Sequence, residues 1–249
     1  MAHKWLIRPS SLGQLMMKGR TKGKPFGDTA LKVIRDAVVF HKFGIEPEIV
    51  TTPALEKGIY NEPANIDLAS DVLGWYDVHS KLEKNRLIND YFSGEPDINT
   101  TILADIKTNF SPSSYFSKYF DTEVKNKAYI YQLQAYMDLT GHTTSYLVYC
   151  LSDHPEHVRT NEIQKLTYKL ARDPEIIAIA GGYEEAYTIA EDRATGIIDN
   201  IAKIEHKVPK EHRVKCLEVK RDEGLLNEIK QRITDAREVF DELYSTTLL

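Results

Sequence analysis

Cysteine is scarce: the chain of 249 residues has two, Cys150 and Cys216. That is too few for a four-thiolate zinc or iron–sulfur centre, or for a disulfide scaffold. Both lie in apolar stretches (LVYCL and VKCLEV), where a thiol is expected to be buried, free and kept reduced. A long apolar run is also missing, and stretches such as AVVF are far too short to span a bilayer. The opening MAHKWLIRPSS lacks the apolar run of a secretion leader, so a cytoplasmic protein without membrane contact is expected. Excess positive charge is missing too. Lys and Arg number 32 against 37 Asp and Glu, a net charge of −5. This argues against a basic coat for non-specific duplex binding, while leaving room for a local basic groove. There is no repeat and no low-complexity tract.

What is present is an ordinary globular composition, 42% hydrophobic, which excludes a disordered or collagen-like chain. A chain of this length buries roughly 70–75% of the surface its unfolded form exposes. Ser10 is positioned to cap a short helix through Met17, and KGRTKGKPFG after it reads as a basic loop whose Lys18, Arg20, Lys22 and Lys24 fit equally a contact with a nucleic-acid backbone and a solvated loop. Start and stop signals predict helices from Asp28 to about Phe43, closed by Gly44, and from about Pro53 to Leu73, closed by Gly74. RLINDYF and TTILADIK read as two strands joined through DINTT, and NFSPSSYF as a loop. A helix is expected over Thr122 to Leu139, then a buried strand in TTSYLVYCLS. Helices follow from about Glu156, interrupted by a short strand in RVKCLEVKR, and a last helix runs from about Asp222 to Tyr244. No linker separates two domains. The order predicts one α/β domain over 1–249, a central mixed sheet flanked by helices, with a helical C-terminal elaboration.

The chemistry is concentrated in GEPDINTTILADIKT. On a strand Asp105 and Lys107 share one face, while Ile102, Ala104 and Ile106 share the other. A carboxylate and a lysine on an apolar strand are costly unless they pair or serve a site. With the turn centred near Thr100, Asp97 falls opposite Leu103 and diagonal to Asp105, near enough for both carboxylates to share one divalent ion. Oxygen ligands suit Mg²⁺ or Mn²⁺, which polarise a phosphate and lower the pKa of a bound water. On the following helix Lys125, Tyr129, Gln132 and Tyr136 share a face, and Ile130, Leu133 and Met137 form a separate apolar stripe. Tyr115, Phe116 and Tyr119 are candidates for stacking on a displaced base, and the hydroxyls of Ser111, Ser113 and Ser114 for holding a phosphate. His154 and His157 read as a solvated turn.

Gly94-Glu95-Pro96-Asp97 followed by Asp105-Ile106-Lys107 resembles the PD-(D/E)xK motif of the restriction-endonuclease-like nucleases. KAYIYQLQAYMDLTG is similar to the Gln-x-x-x-Tyr helix of their RecB-like and lambda-exonuclease-like branch, with Gln132 and Tyr136 in the matching places. LEKGIYNEP resembles the Gly-x-x-x-Glu helix of that branch; of the two candidates Glu56 and Glu62, the resemblance selects Glu62, with Gly58 one turn below it permitting close backbone approach. VPKEHRVKCLEVKRDEG resembles the C-terminal part of phage-type members. The likeness is good over roughly 50–150 and looser elsewhere.

The resemblance implies a restriction-endonuclease-like core and a Mg²⁺- or Mn²⁺-dependent deoxyribonuclease, an exonuclease on linear DNA in phage-type recombination or DNA processing. Glu62, Asp97, Asp105 and the Ile106 carbonyl would bind metal, Lys107 would orient or activate water, and Gln132 and Tyr136 would support them. DNA, duplex or single-stranded, is the implied partner, together with a homo-oligomer and a single-strand annealing protein. The compartment would be the host cytoplasm for a phage-encoded chain. A structure-specific or restriction-type endonuclease, and a DNA-binding module without turnover, also fit these residues.

Overall fold

The computed structural model describes residues 4–19, 25–81 and 83–246. The N-terminal segment makes a 3₁₀ turn and a short helix α1 (Leu12–Leu15). Ser10 lies inside that turn, and Ser11 at the helix start makes no capping bond. Lys18 is exposed, and the rest of the predicted basic loop, Arg20 to Lys24, lies outside the described residues. Helix α2 (Asp28–Phe43) and helix α3 (Pro53–Leu73) stand where their start and stop signals put them. Thr52 Oγ1 accepts from Leu55 N to open α3. Gly44 and Gly74 close the two helices at φ 69° and 70°, the left-handed conformation glycine adopts without a Cβ clash.

The stretch RLINDYF does not form one strand. Asn89 Oδ1 accepts from Tyr91 N and Phe92 N, turning the chain back on itself as a hairpin of β1 (Leu87–Ile88) and β2 (Ser93–Gly94). The main sheet is β3 (Ile98–Asn99), β4 (Leu103–Thr108), β5 (Thr144–Cys150) and β6 (Val214–Lys220), in the order β3-β4-β5-β6. The β4–β5 pair is parallel and the outer two pairs are antiparallel. A parallel pair needs a crossover, which here consists of α4 (Pro112–Tyr119) and α5 (Lys127–Thr140). Helix α4 corrects the loop expected in NFSPSSYF: Ser111 and Ser114 form a reciprocal capping box that nucleates it. Helix α5 starts five residues later than predicted because the Asn126 side chain caps it, so Lys125 stands outside the helix and pairs with Asp121.

Helices cover both faces of the sheet. Ile66 and Ala69 of α3 pack on Ala104, Ile106, Val148 and Cys150, while Leu133 of α5 and Tyr115 of α4 pack on Leu147, Tyr149 and Leu217. Burial raises the thiol pKa of Cys150 to about 12 and of Cys216 to about 11. A third core joins the two ends of the chain: Trp5, Ile7, Leu12 and Leu15 meet α2 and the last helix α9 (Glu223–Thr246). Helices α6 (Glu156–Leu170), α7 (Pro174–Ile179) and α8 (Tyr183–Ala202) form the elaboration between β5 and β6. Among the described residues no helix is long and apolar enough to cross a membrane.

Candidate active site

Strand β4 is covered on both faces, and its alternation decides what each helix meets. Ala104 and Ile106 point to α3, and Leu103 packs beside Tyr136 and Met137 of α5. Asp105 and Lys107 are therefore turned toward the α5 side. Asp105 is 2% exposed, and its Oδ2 lies 2.6 Å from the Lys107 ammonium. Lys107 keeps 24% of its side chain exposed and sits 5.1 Å from the centre of the Tyr129 ring. Burial works against the Lys107 charge, but Asp105, with Asp97, more than offsets it and raises the lysine pKa. Lys107 is thus a fixed ammonium at neutral pH.

Helix α5 supplies the polar wall. Gln132 Nε2 donates to Asp105 Oδ1 (3.0 Å) and to the Tyr136 hydroxyl (3.3 Å), which in turn donates to the Glu95 carbonyl (3.3 Å). The i, i+4 spacing of Gln132 and Tyr136 makes this chain possible. It ties the helix to β4 at one end and to the Gly94-Glu95-Pro96-Asp97 turn at the other. Burial, then the Asp105 charge, raises the Tyr136 pKa, so the phenol stays neutral. Gly94 is required by packing: a Cβ there would meet the Pro9 ring carbons at 2.7 Å and Tyr136 Cε1 at 3.1 Å.

Asp97 reaches the site through a register one residue away from the expected one. Ile98 pairs with Ala104 and Asn99 with Leu103, because the turn centres on Thr101, where Thr100 accepts from Ile102 N. Continued by one step, this sets Asp97 across from Asp105 instead of Leu103. Asp97 Oδ2 accepts from Ile106 N at 2.7 Å. The N–H and C=O of a strand residue face the same edge, so the Ile106 carbonyl also opens toward Asp97. Burial, then the charges of Asp105 and Glu62, pushes the Asp97 carboxyl well above the usual carboxylate range. Burial likewise raises Asp105, against the pull of Lys107.

Glu62 arrives from α3. That helix buries a polar stripe: Asn61 donates to Ser152 Oγ and the Asp153 carbonyl, and Asn65 to Thr108 Oγ1, at the ends of β5 and β4. Glu62 is one residue round the helix from Asn61 and so lies at the flank of the sheet. Its charge acts on both Asp97 and Asp105, and it pairs with Lys84. Glu56 is not among the main charges acting on either aspartate. Gly58 has open space around it, so close approach is not what its glycine provides.

Glu62, Asp97 and Asp105 thus share one neighbourhood, beside Lys107, Gln132 and Tyr136. Among the described residues no three His, Cys, Asp or Glu side chains are drawn closely enough together to hold one ion. Lys84 stands between two of the carboxylates: its Nζ contacts Glu62 and lies 3.8 Å from Asp97 Oδ1. The donor set nevertheless fits a hard divalent cation. All its atoms are oxygens, and the buried Asp105 Oδ2 has no hydrogen-bond partner beyond the Lys107 ion pair.

Two sequence expectations fall away here. Tyr115 is fully buried and so is not free to stack on a base, while Phe116 and Tyr119 are half-buried against its cluster. His154 is buried against Phe110 with neither ring nitrogen hydrogen-bonded, while His157 alone is exposed. Sequence reasoning missed Lys84, which stands in a polar segment and reads as solvated. It also missed the Glu95 carbonyl, for which a main-chain atom leaves no signal.

The sequence matches no protein-family model and no curated protein. Several solved structures are similar, among them the following three. A phage-related exonuclease from Haemophilus somnus 129PT superposes with a TM-score of 0.68 at 21% identity, covering 98% of this chain and 96% of that one. An alkaline exonuclease, LHK-Exo from Laribacter hongkongensis, gives 0.59 at 15% identity over 96% and 90% of the two chains. LHK-Exo in complex with dAMP gives 0.58 at 14% identity, with the same coverage. The mixed sheet, its flanking helices and nearly the whole length of the chain are shared with these proteins, so this chain has the fold of the phage-related and alkaline exonucleases.

Proposed function

We propose that the chain is a Mg²⁺- or Mn²⁺-dependent deoxyribonuclease that removes nucleotides from the ends of linear DNA, in phage-type recombination or DNA processing. The observation that carries this reading is the Asp105–Lys107 pair, buried on β4 and joined to Gln132, with Asp97 and Glu62 at its edge. Support comes also from the exonuclease fold and from the nucleotide held by one LHK-Exo structure. On this reading Glu62, Asp97, Asp105 and the Ile106 carbonyl would hold the metal, which when bound polarises the scissile phosphate and lowers the pKa of a water. Lys107 presents a fixed positive charge beside the attacked phosphate and favours the developing negative charge. Gln132 holds the Asp105 carboxylate in one orientation, and neutral Tyr136 fixes the turn that carries Asp97. DNA is the partner, with a homo-oligomer and a single-strand annealing protein as further partners of the same pathway.

The test is release of nucleotides from end-labelled linear duplex with Mg²⁺ or Mn²⁺. Wild type should degrade it, chelation should stop it, and Asp105→Asn should slow it by about 10²-fold or more, with an unchanged circular-dichroism spectrum. No degradation by wild type with either metal, or near-normal degradation by Asp105→Asn, would overturn the reading.

A further inference from the structure

Lys84 is the residue in this site that the proposed chemistry does not use. It stands in the irregular segment between α3 and β1, on neither a strand nor a helix. Its ammonium contacts Glu62 Oε1 and lies 3.8 Å from Asp97 Oδ1, with 28% of the side chain exposed. The second oxygen of Asp97 is already taken by Ile106 N. The Asp97 oxygen that accepts no main-chain hydrogen bond faces Lys84, and so does Glu62. Two carboxylates from distant parts of the chain are joined here through a positive charge. Lys107 differs: it is carried by the central strand β4 and pairs with Asp105 alone among the carboxylates.

We propose that Lys84 is a built-in counter-ion, which holds Glu62 and Asp97 together in the metal-free protein and is exchanged out when the divalent cation binds. This rests on the metal-dependent reading above. The physical grounds are direct. Without a cation, clustered carboxylates repel one another and favour protonation. An ammonium removes that repulsion, but it cannot share the same two oxygens with a divalent ion. A flexible four-carbon stem on irregular backbone, partly in water, lets the ammonium leave at small cost. Once released, it adds a positive charge at the mouth of the site, where the nucleic-acid backbone approaches.

Two measurements without DNA test this. Calorimetry with Mn²⁺ compares wild type with Lys84→Met, which keeps the stem and removes the charge, and with Lys84→Ala. Losing the competing ammonium should tighten binding about two- to fivefold, the scale of one partly exposed ion pair. In wild type, acetylation of Lys84 by an amine-reactive reagent, read by mass spectrometry, should rise severalfold on adding Mn²⁺ and return on chelation, while exposed Lys220 stays constant. Binding to wild type that both variants leave unchanged or weaken, or Lys84 acetylation that does not rise with bound metal, overturns the exchange and leaves the nuclease reading standing. No binding by any of the three proteins overturns the metal-dependent reading and the exchange with it.

Discussion

Gln132 and Lys107 both touch Asp105, but they differ in what their loss should do. Gln132 Nε2 is the donor to Asp105 Oδ1 and so sets the direction of the carboxylate. Removing a group that orients a ligand typically costs about 10–100-fold. Gln132→Ala should therefore slow cleavage by about that factor and leave DNA affinity unchanged, because the amide is buried and already bonded to Asp105 and Tyr136. Lys107 carries charge into the site, where on the nuclease reading it would both attract the backbone and favour the transition state. One phosphate contact among many is a small part of affinity, whereas a lost charge-stabilising donor costs about 10²–10³-fold in rate. Lys107→Ala should lower single-turnover cleavage with Mg²⁺ by that larger factor and weaken binding, measured with Ca²⁺ in place of Mg²⁺, only a few-fold. Equal, modest losses in both assays would assign Lys107 to holding DNA alone.

Between elements, the close contact at Gly94 joins the N-terminal segment, the turn before Asp97 and α5. A methyl group there would lie 2.7 Å from the Pro9 ring, which cannot swing away without moving its backbone, and 3.1 Å from Tyr136. Gly94→Ala should cost about 1–3 kcal/mol in urea unfolding and slow cleavage through a displaced Tyr136. An unchanged midpoint would show that the contact relaxes freely. His154 joins the loop after β5 to the loop after β4. Burial, then the Lys57 charge, holds its pKa down at about 4, against the usual 6.5. The unfolded chain takes up this proton near pH 6.5 and the folded chain not until about pH 4, so the stability is full above pH 6.5 and is lost as pH falls through that window. With some solvent access allowed for, the loss is on the order of 1–2 kcal/mol. His154→Leu should lose less stability than wild type between pH 7 and 4.5 in thermal melts, and parallel losses would remove His154 from the account.

For the whole molecule, the two ends of the sequence close one core. Trp5 stacks on Phe240 with ring centres 5.4 Å apart, and the Arg237 guanidinium donates to the Trp5 and Asp90 carbonyls. The helices before and after the sheet thereby fix the hairpin that leads into Asp97. The exonuclease reading predicts a substrate dependence at this scale: linear duplex should be degraded and covalently closed circles should persist under the same conditions, as followed by gel electrophoresis. Rapid nicking or linearisation of closed circles would make the endonuclease the better reading.

The features legible in the sequence are those set by short-range geometry. The two-residue alternation puts Asp105 and Lys107 on one face of β4. The three- and four-residue spacing puts Gln132 and Tyr136 on one face of α5, and glycines at 44, 74 and 141 end three helices. These follow from backbone periods and caps that involve neighbours along the chain. The tertiary structure decided the rest: the register that brings Asp97 across from Asp105, the inward turn of Tyr115, the burial of His154 and the place of Lys84 between Glu62 and Asp97. Each of these depends on segments far apart in sequence meeting around a shared core. A one-residue shift in a turn, or a lysine in a polar segment, leaves no mark on local periodicity, because its energy comes from partners that only packing brings near.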